Sequence, residues 1–175
     1  MSPTPADLVS AASQPVGPGF DLLLLAHVAS VIIAAGAVVA SGVQAWRLRA
    51  VAPGVPVPEN LRRYYAEGVN WAGRVLYAVP LFGVALLAVS GGYYSLSDLW
   101  VGIGLGLWFA AALAAEGLLW PAERALQSAV ARGEGSILAD DATDAKRRCE
   151  AVAATAAALM VVLLGVSVLM VAQPH

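Results

Sequence analysis

LLLLAHVASVIIAAGAVVASGVQAW, residues 22–46, runs for 25 positions between Asp21 and Arg47 without a charged side chain. A helix rising about 1.5 Å per residue over such a stretch covers the ~30 Å hydrocarbon core of a bilayer. The number of comparable stretches decides the fold class. Twenty-three uncharged residues separate Arg74 from Asp98, 17 separate Asp98 from Glu116, and no charge occurs from Ala151 to Pro174. Four apolar segments therefore predict four transmembrane helices. Composition agrees: 59% of the 175 residues are hydrophobic and 13% charged, with a mean hydropathy of +0.74. A soluble domain has too little interior for that much apolar surface and carries nearer a quarter charged residues.

The second helix is expected to begin near Asn60, because helical character extends back through ENLRRYYAEGVNWAG. The third continues past Glu116 through GLLW to Pro121, and the fourth runs from about Ala151 to Ala172. Ser95 or Ser97 ahead of Asp98, and Thr143 ahead of the fourth span, suit helix N-caps, since their oxygens accept from free first-turn N–H groups. The stretch AVAPGVPVPEN, with three prolines, forbids helix between the first two spans. The short Gly91–Tyr94 turn makes spans two and three antiparallel neighbours. The expected architecture is an all-α antiparallel four-helix transmembrane bundle. Residues 1–18 are a short extracytoplasmic segment and residues 19–175 a single transmembrane domain.

The basic residues sort by connection. Arg47, Arg49, Arg62 and Arg63 flank the first, Arg124, Arg132, Lys146, Arg147 and Arg148 occupy the third, and the remaining one, Arg74, lies within a helix. By the positive-inside rule both long connections are cytoplasmic and both termini are not, so the expected location is a bacterial cytoplasmic membrane. The first helix lacks a basic flank and a small-residue cleavage site and reads as a retained span. Trp46, Trp71 and Trp120 would form the inner aromatic belt and Trp100 the outer. The lone Cys149 sits at the start of helix four and cannot form a disulfide within the chain.

Within a bilayer the informative residues are polar, because a lone charge at mid-depth costs about 3 kcal/mol or more. Helix two, begun near Asn60, would carry Arg63, Glu67, Asn70, Arg74 and Tyr77 at alternating spacings of four and three, one continuous stripe. Glu116 on the antiparallel third helix lies at a similar depth to Arg74, so the two are expected to pair. This stripe reads either as interhelical glue or as a cytoplasm-facing vestibule in which Glu67, Arg74 and Glu116 admit a proton, an ion or an anionic headgroup. Helix one has a second stripe of small and polar residues, His27, Ser30, Ala34, Ala37, Ser41 and Gln44, which suits close packing. His27 is the only histidine within a span. Haem b would need a second axial ligand, from Met170 or Met160 or from His27 of a second copy. Three Met, one Cys and two His, scattered along the chain, form no copper cluster. Gly102 and Gly106 form a small-xxx-small face for dimerisation or bundle packing, and Gly36 a comparable point on helix one. No nucleophile–base pair, phosphate loop or nucleic-acid-binding motif is present, and nothing in the residues demands catalysis.

The succession of features is similar to a known group: His27 followed by small residues and WRLRA, then Pro80 before LAVSGGYY, then DLW closing with LLWPAERAL, then LMVAQP. It resembles the uncharacterised four-helix integral membrane proteins grouped as a domain of unknown function and, more distantly, the copper-resistance CopD-like membrane domains. CopD-like members carry further histidines that this chain lacks, so the resemblance implies fold and topology from Phe20 onward. The function expected is non-enzymatic: a small accessory or scaffold subunit packed against lipid and against itself or other integral subunits, a respiratory complex among the candidates. The alternatives are a haem- or metal-binding bundle using His27, and a small proton or ion transporter through Glu67, Arg74 and Glu116.

Overall fold

The computed structural model describes residue 15 and residues 17–173. The segment assigned to residues 1–18 falls mostly outside that range. Among the described residues seven α-helices follow in order: α1 (Pro18–Arg49), α2 (Glu59–Tyr64), α3 (Trp71–Arg74), α4 (Ala78–Val89), α5 (Leu99–Ala114), α6 (Trp120–Arg132) and α7 (Ala142–Ala172). A 3-10 turn, Val75–Tyr77, joins α3 to α4, and a π turn, Ala115–Leu119, joins α5 to α6. The described residues thus make four helices long and apolar enough to cross a membrane: Pro18–Arg49, Trp71–Val89, Leu99–Arg132 and Ala142–Ala172. The fold is all-α, a four-helix bundle of the kind a multi-pass membrane protein requires.

α1 and α7 form the central pair, with α4 packed against α1 and α5 against α7. Glycines set the closest approaches. A Cβ on Gly42 would meet Ala156 Cβ at 3.0 Å, and one on Gly104 would overlap the Met170 thioether. Along α1 the face of Ser30, Ala34, Ala37 and Ser41 is buried. Its hydroxyls are satisfied locally, Ser30 Oγ donating to the His27 carbonyl at 2.7 Å and Ser41 Oγ to that of Ala37 at 3.1 Å.

The best-packed part of the molecule is the end that carries the arginines, referred to below as the basic end. Val57, Leu61, Tyr65, Leu126, Val130, Ile137, Cys149 and Val152 are all buried in one core with Ala45 and Leu48 from the end of α1. The two long connections are stitched together, Val57 N–H donating to the Gly135 carbonyl and Gly54 N–H to that of Ile137, each at 2.8 Å, around an antiparallel bridge between Pro56 and Ser136. Arg49 Nη2 lies 3.0 Å from Glu150 Oε1 and ties the end of α1 to the start of α7.

Several sequence expectations need correction. The second helix does not run unbroken from Asn60. α2 stops at Tyr64, Gly68 adopts φ +153°, and helix resumes only at Trp71, where Asn70 Oδ1 caps the new turn by accepting from Gly73 N–H at 3.2 Å. A glycine that far into positive φ cannot continue a right-handed helix, so the stripe is cut in its middle. The third helix, conversely, passes Pro121 and continues to Arg132. Proline lacks the N–H that would bond the carbonyl four residues back, and the chain accommodates it by widening just before: Trp120 N–H bonds the Ala115 carbonyl, one residue farther than in an α-helix. Thr143 lies inside α7 and Asp141 holds the cap position, its carboxylate engaged 2.9 Å from Arg132 Nη2. Asp98 likewise holds the cap position of α5 and accepts from Ser95 N–H at 2.8 Å. Trp46 (62% exposed) and Trp71 face outward as belt residues would, but Trp120 (4%) and Trp100 are buried in the bundle. Trp100 stacks edge-on against Tyr94 at 5.7 Å between ring centroids.

Candidate functional site

Two polar groupings lie between the helices. The first is built around the π turn. Widening the helix at Ala115–Leu119 keeps Ala115, Leu119 and Trp120 buried while Glu116 turns to the side of the second span. There Arg74 Nη1 stands 2.9 Å from Glu116 Oε1, and Tyr77 Oη donates to the same oxygen. The Arg74 guanidinium also lies over the Trp120 ring, 3.7 Å from its centroid. Gly73 makes room for this, since a Cβ there would come within 3.2 Å of Trp120 Nε1. The cation is thus held by a carboxylate on one side and an aromatic face on the other, a pairing that low dielectric strengthens. Of the five stripe residues, the structure brings Arg74 and Tyr77 together, on Glu116 of the third span, while Arg63 pairs with Glu59. Asn70 serves as a helix cap, and Glu67 is exposed in the bend between α2 and α3. Glu67 left the stripe for the reason given above, the break at Gly68.

Pro80 organises the neighbouring turn. Its missing N–H frees the Leu76 carbonyl, and Trp108 Nε1 on α5 donates to that oxygen at 2.9 Å. The carbonyl next to the proline, Val79, lies 2.9 Å from His27 Nδ1. A carbonyl only accepts, so Nδ1 carries a proton. Gly83 admits the imidazole, whose Cε1 would stand 3.4 Å from a Cβ at that position. His27 is therefore a bridge between α1 and α4. Met170 sits over Gly104 on α5. Among the described residues no group of three His, Cys, Asp or Glu side chains could hold a metal ion.

Of the three glycines chosen for helix packing, none serves it within the bundle. Gly36, Gly102 and Gly106 have nothing within 4 Å of where a Cβ would stand, and all three face outward. The bundle-packing role belongs to Gly42 and Gly104, whose backbones touch α7.

The second grouping was not foreseen. Glu123 is 5% exposed and takes part in none of the ion pairs among the described residues. Tyr64 Oη donates to its Oε1 at 3.0 Å and accepts from Ser41 Oγ, 3.0 Å away, whose one proton is shared with the Ala37 carbonyl, so α1, α2 and α6 are joined through one short relay. Burial, and next the charge of Glu123, push the Tyr64 hydroxyl above the ordinary phenol range; burial does the same to Tyr65. Both phenols therefore keep their protons at any physiological pH. Tyr65 Oη and Gln44 Oε1 are buried without a hydrogen-bond partner. The signal that could have found Glu123 was present: Leu119, Trp120, Leu126, Ala129 and Val130 mark the buried face of a helix that runs through Pro121, and Glu123 falls on that face.

Removing the donor tests this relay. Tyr64→Phe should lower unfolding stability by about 2 kcal/mol, because the buried carboxyl loses its hydrogen bond, whereas Tyr64→Phe with Glu123→Leu should recover most of that loss. Chemical unfolding in mixed micelles, followed by circular dichroism, measures both. Comparison with known proteins finds no family model, curated protein or solved structure that matches this chain.

Proposed function

We propose that this protein is a small polytopic accessory or scaffold subunit of a bacterial cytoplasmic membrane. In this reading the basic end faces the cytoplasm and the outward face of α5 packs against a second copy or another integral subunit. One observation carries it: Gly102, Gly106, Ala110 and Gly117 follow at spacings of four, four and seven on a single exposed face that continues across the π turn. Ile103, Leu105 and Phe109, also exposed, rise beside the glycines. A groove of small residues between apolar ridges is the surface that lets two helix backbones approach closely in lipid, where burial of apolar area gives no drive of its own. Two polar groups within the spans support the reading by being spent internally, His27 on a carbonyl and Arg74 on Glu116. A transport pathway through Glu67, Arg74 and Glu116 is less well supported, since Glu67 lies outside the spanning helices and does not join the Arg74–Glu116 ion pair. The resemblance to four-helix membrane proteins agrees with a role in assembly and adds no chemistry.

The test is association in neutral detergent and in lipid. Wild-type protein should sediment as a dimer or co-purify with a larger integral complex. Gly106→Leu, which fills the groove without touching the bundle, should weaken that association roughly tenfold while leaving the helical content unchanged. A wild-type monomer at high concentration that brings no other integral subunit would sink the proposal.

A further inference from the structure

A cleft of about 410 Å³ opens between the end of α1 and the start of α2, with Trp46, Arg47, Val51, Pro58, Asn60 and Leu61 in its wall. Its position follows from the sequence of α1: the uncharged run ends at Trp46, so Arg47 is the first charge beyond the apolar segment and stands at the level of the lipid headgroups. Its charge is unbalanced. Arg49 is held by Glu150 and lies 5.0 Å from the Trp46 ring, Arg62 and Arg63 are both held by Glu59, and Arg47 takes part in none of the ion pairs among the described residues. The carboxylate nearest in sequence to the cleft is therefore already shared by two cations, and the cleft presents one guanidinium and one amide above an apolar wall. Trp46, 62% exposed at its mouth, is the residue type that sits at the membrane–water boundary.

We infer that this cleft binds the headgroup of an anionic phospholipid, with the phosphate between Arg47 and the Asn60 amide and the glycerol region along Val51, Pro58 and Leu61. Two features favour a lipid over a dissolved anion. One wall of the cleft is hydrocarbon, and it carries a single cation where a free phosphate would need several. Basic clefts beside transmembrane helices recruit acidic headgroups for the same reasons.

Tryptophan fluorescence of the full-length protein in phosphatidylcholine vesicles tests this, with a few per cent of either brominated phosphatidylglycerol or brominated phosphatidylcholine as quencher. The anionic quencher should act at several-fold lower mole fraction, and Trp46→Phe should remove that component of the quenching. Arg47→Gln should cut the preference about fivefold, Arg47→Lys should keep most of it, and Arg124→Gln, at the same end but outside the cleft, should leave it unchanged. Arg47 is exposed, so its variants should keep the wild-type melting temperature. An Arg124→Gln loss as large as that of Arg47→Gln, an undiminished preference in Arg47→Gln, or abolition of the quenching by millimolar inorganic phosphate without a matching effect of chloride would each overturn the assignment.

Discussion

Leu126→Ala should cost about 3 kcal/mol of unfolding free energy, while Leu81→Ala should cost almost nothing. Leu126 is 0% exposed and shares the core of the basic end with Val57, Leu61, Val130, Ile137 and Cys149, where truncation leaves a cavity that four separate elements would have to collapse to fill. Leu81 is 67% exposed on α4 and faces outward, where lipid closes over the shortened side chain. The contrast matters because both residues read identically by hydropathy. Unfolding in a denaturing-detergent titration, monitored by circular dichroism, would give the two values. Equal losses would mean that the basic end is not the packed part of the molecule. Val152→Ala, also at 0% exposure, should follow Leu126→Ala with a smaller loss, because a valine leaves a smaller void.

Arg74→Glu and Glu116→Arg, made singly, should each reduce membrane-inserted protein roughly tenfold, and the double exchange should recover a large part of it. Either single change sets two like charges against each other beside the π turn, in a region where water can screen them only partly. The exchange restores opposite charge between the same two backbone positions, 2.9 Å apart at the wild-type side-chain tips. Recovery should be incomplete for a specific reason: an arginine at position 116 cannot take up the same place over the Trp120 ring, and a glutamate at position 74 gains nothing from it. Membrane-fraction immunoblots and melting temperatures of the purified variants measure the effect. A double variant as poor as the singles would assign the loss to something other than the pair.

These expectations rest on features of unequal legibility. The four spans were readable because the bilayer imposes a length and a polarity on each, and both are properties of contiguous sequence. The proximity of Arg74 and Glu116 was readable for a related reason: two opposite charges at matching depth on antiparallel neighbours have few other partners. The position of Glu67 was not readable from the four-and-three spacing, because spacing reports a shared face only where the helix is continuous, and Gly68 at φ +153° interrupts it. Gly102 and Gly106 present the same lesson in another form. Two small residues four apart define a groove, yet the residue that α7 meets is Gly104, halfway between them and on the opposite face.

Glu123 was hidden by Pro121. A proline after an apolar run ordinarily marks a helix end, and the five-residue π turn that lets this helix continue is a property of backbone hydrogen bonding, which no composition or period announces. Once the helix continues, the buried periodicity carries the carboxyl into contact with Tyr64, a residue 59 positions away.

From the sequence alone came the number of spans, the all-α class, and the clustering of nine basic residues in the two long connections, because hydrophobic length and charge placement are one-dimensional and lipid reads them directly. The tertiary structure alone decided which polar residues face one another, which glycines touch a neighbour, and where the core lies. Those follow from the angle at which each helix meets the next, set here by a turn at Gly68, the gap left by Pro80 and the widened turn before Pro121. Each is a local departure from helical regularity, and regularity is the assumption on which any reading by spacing depends.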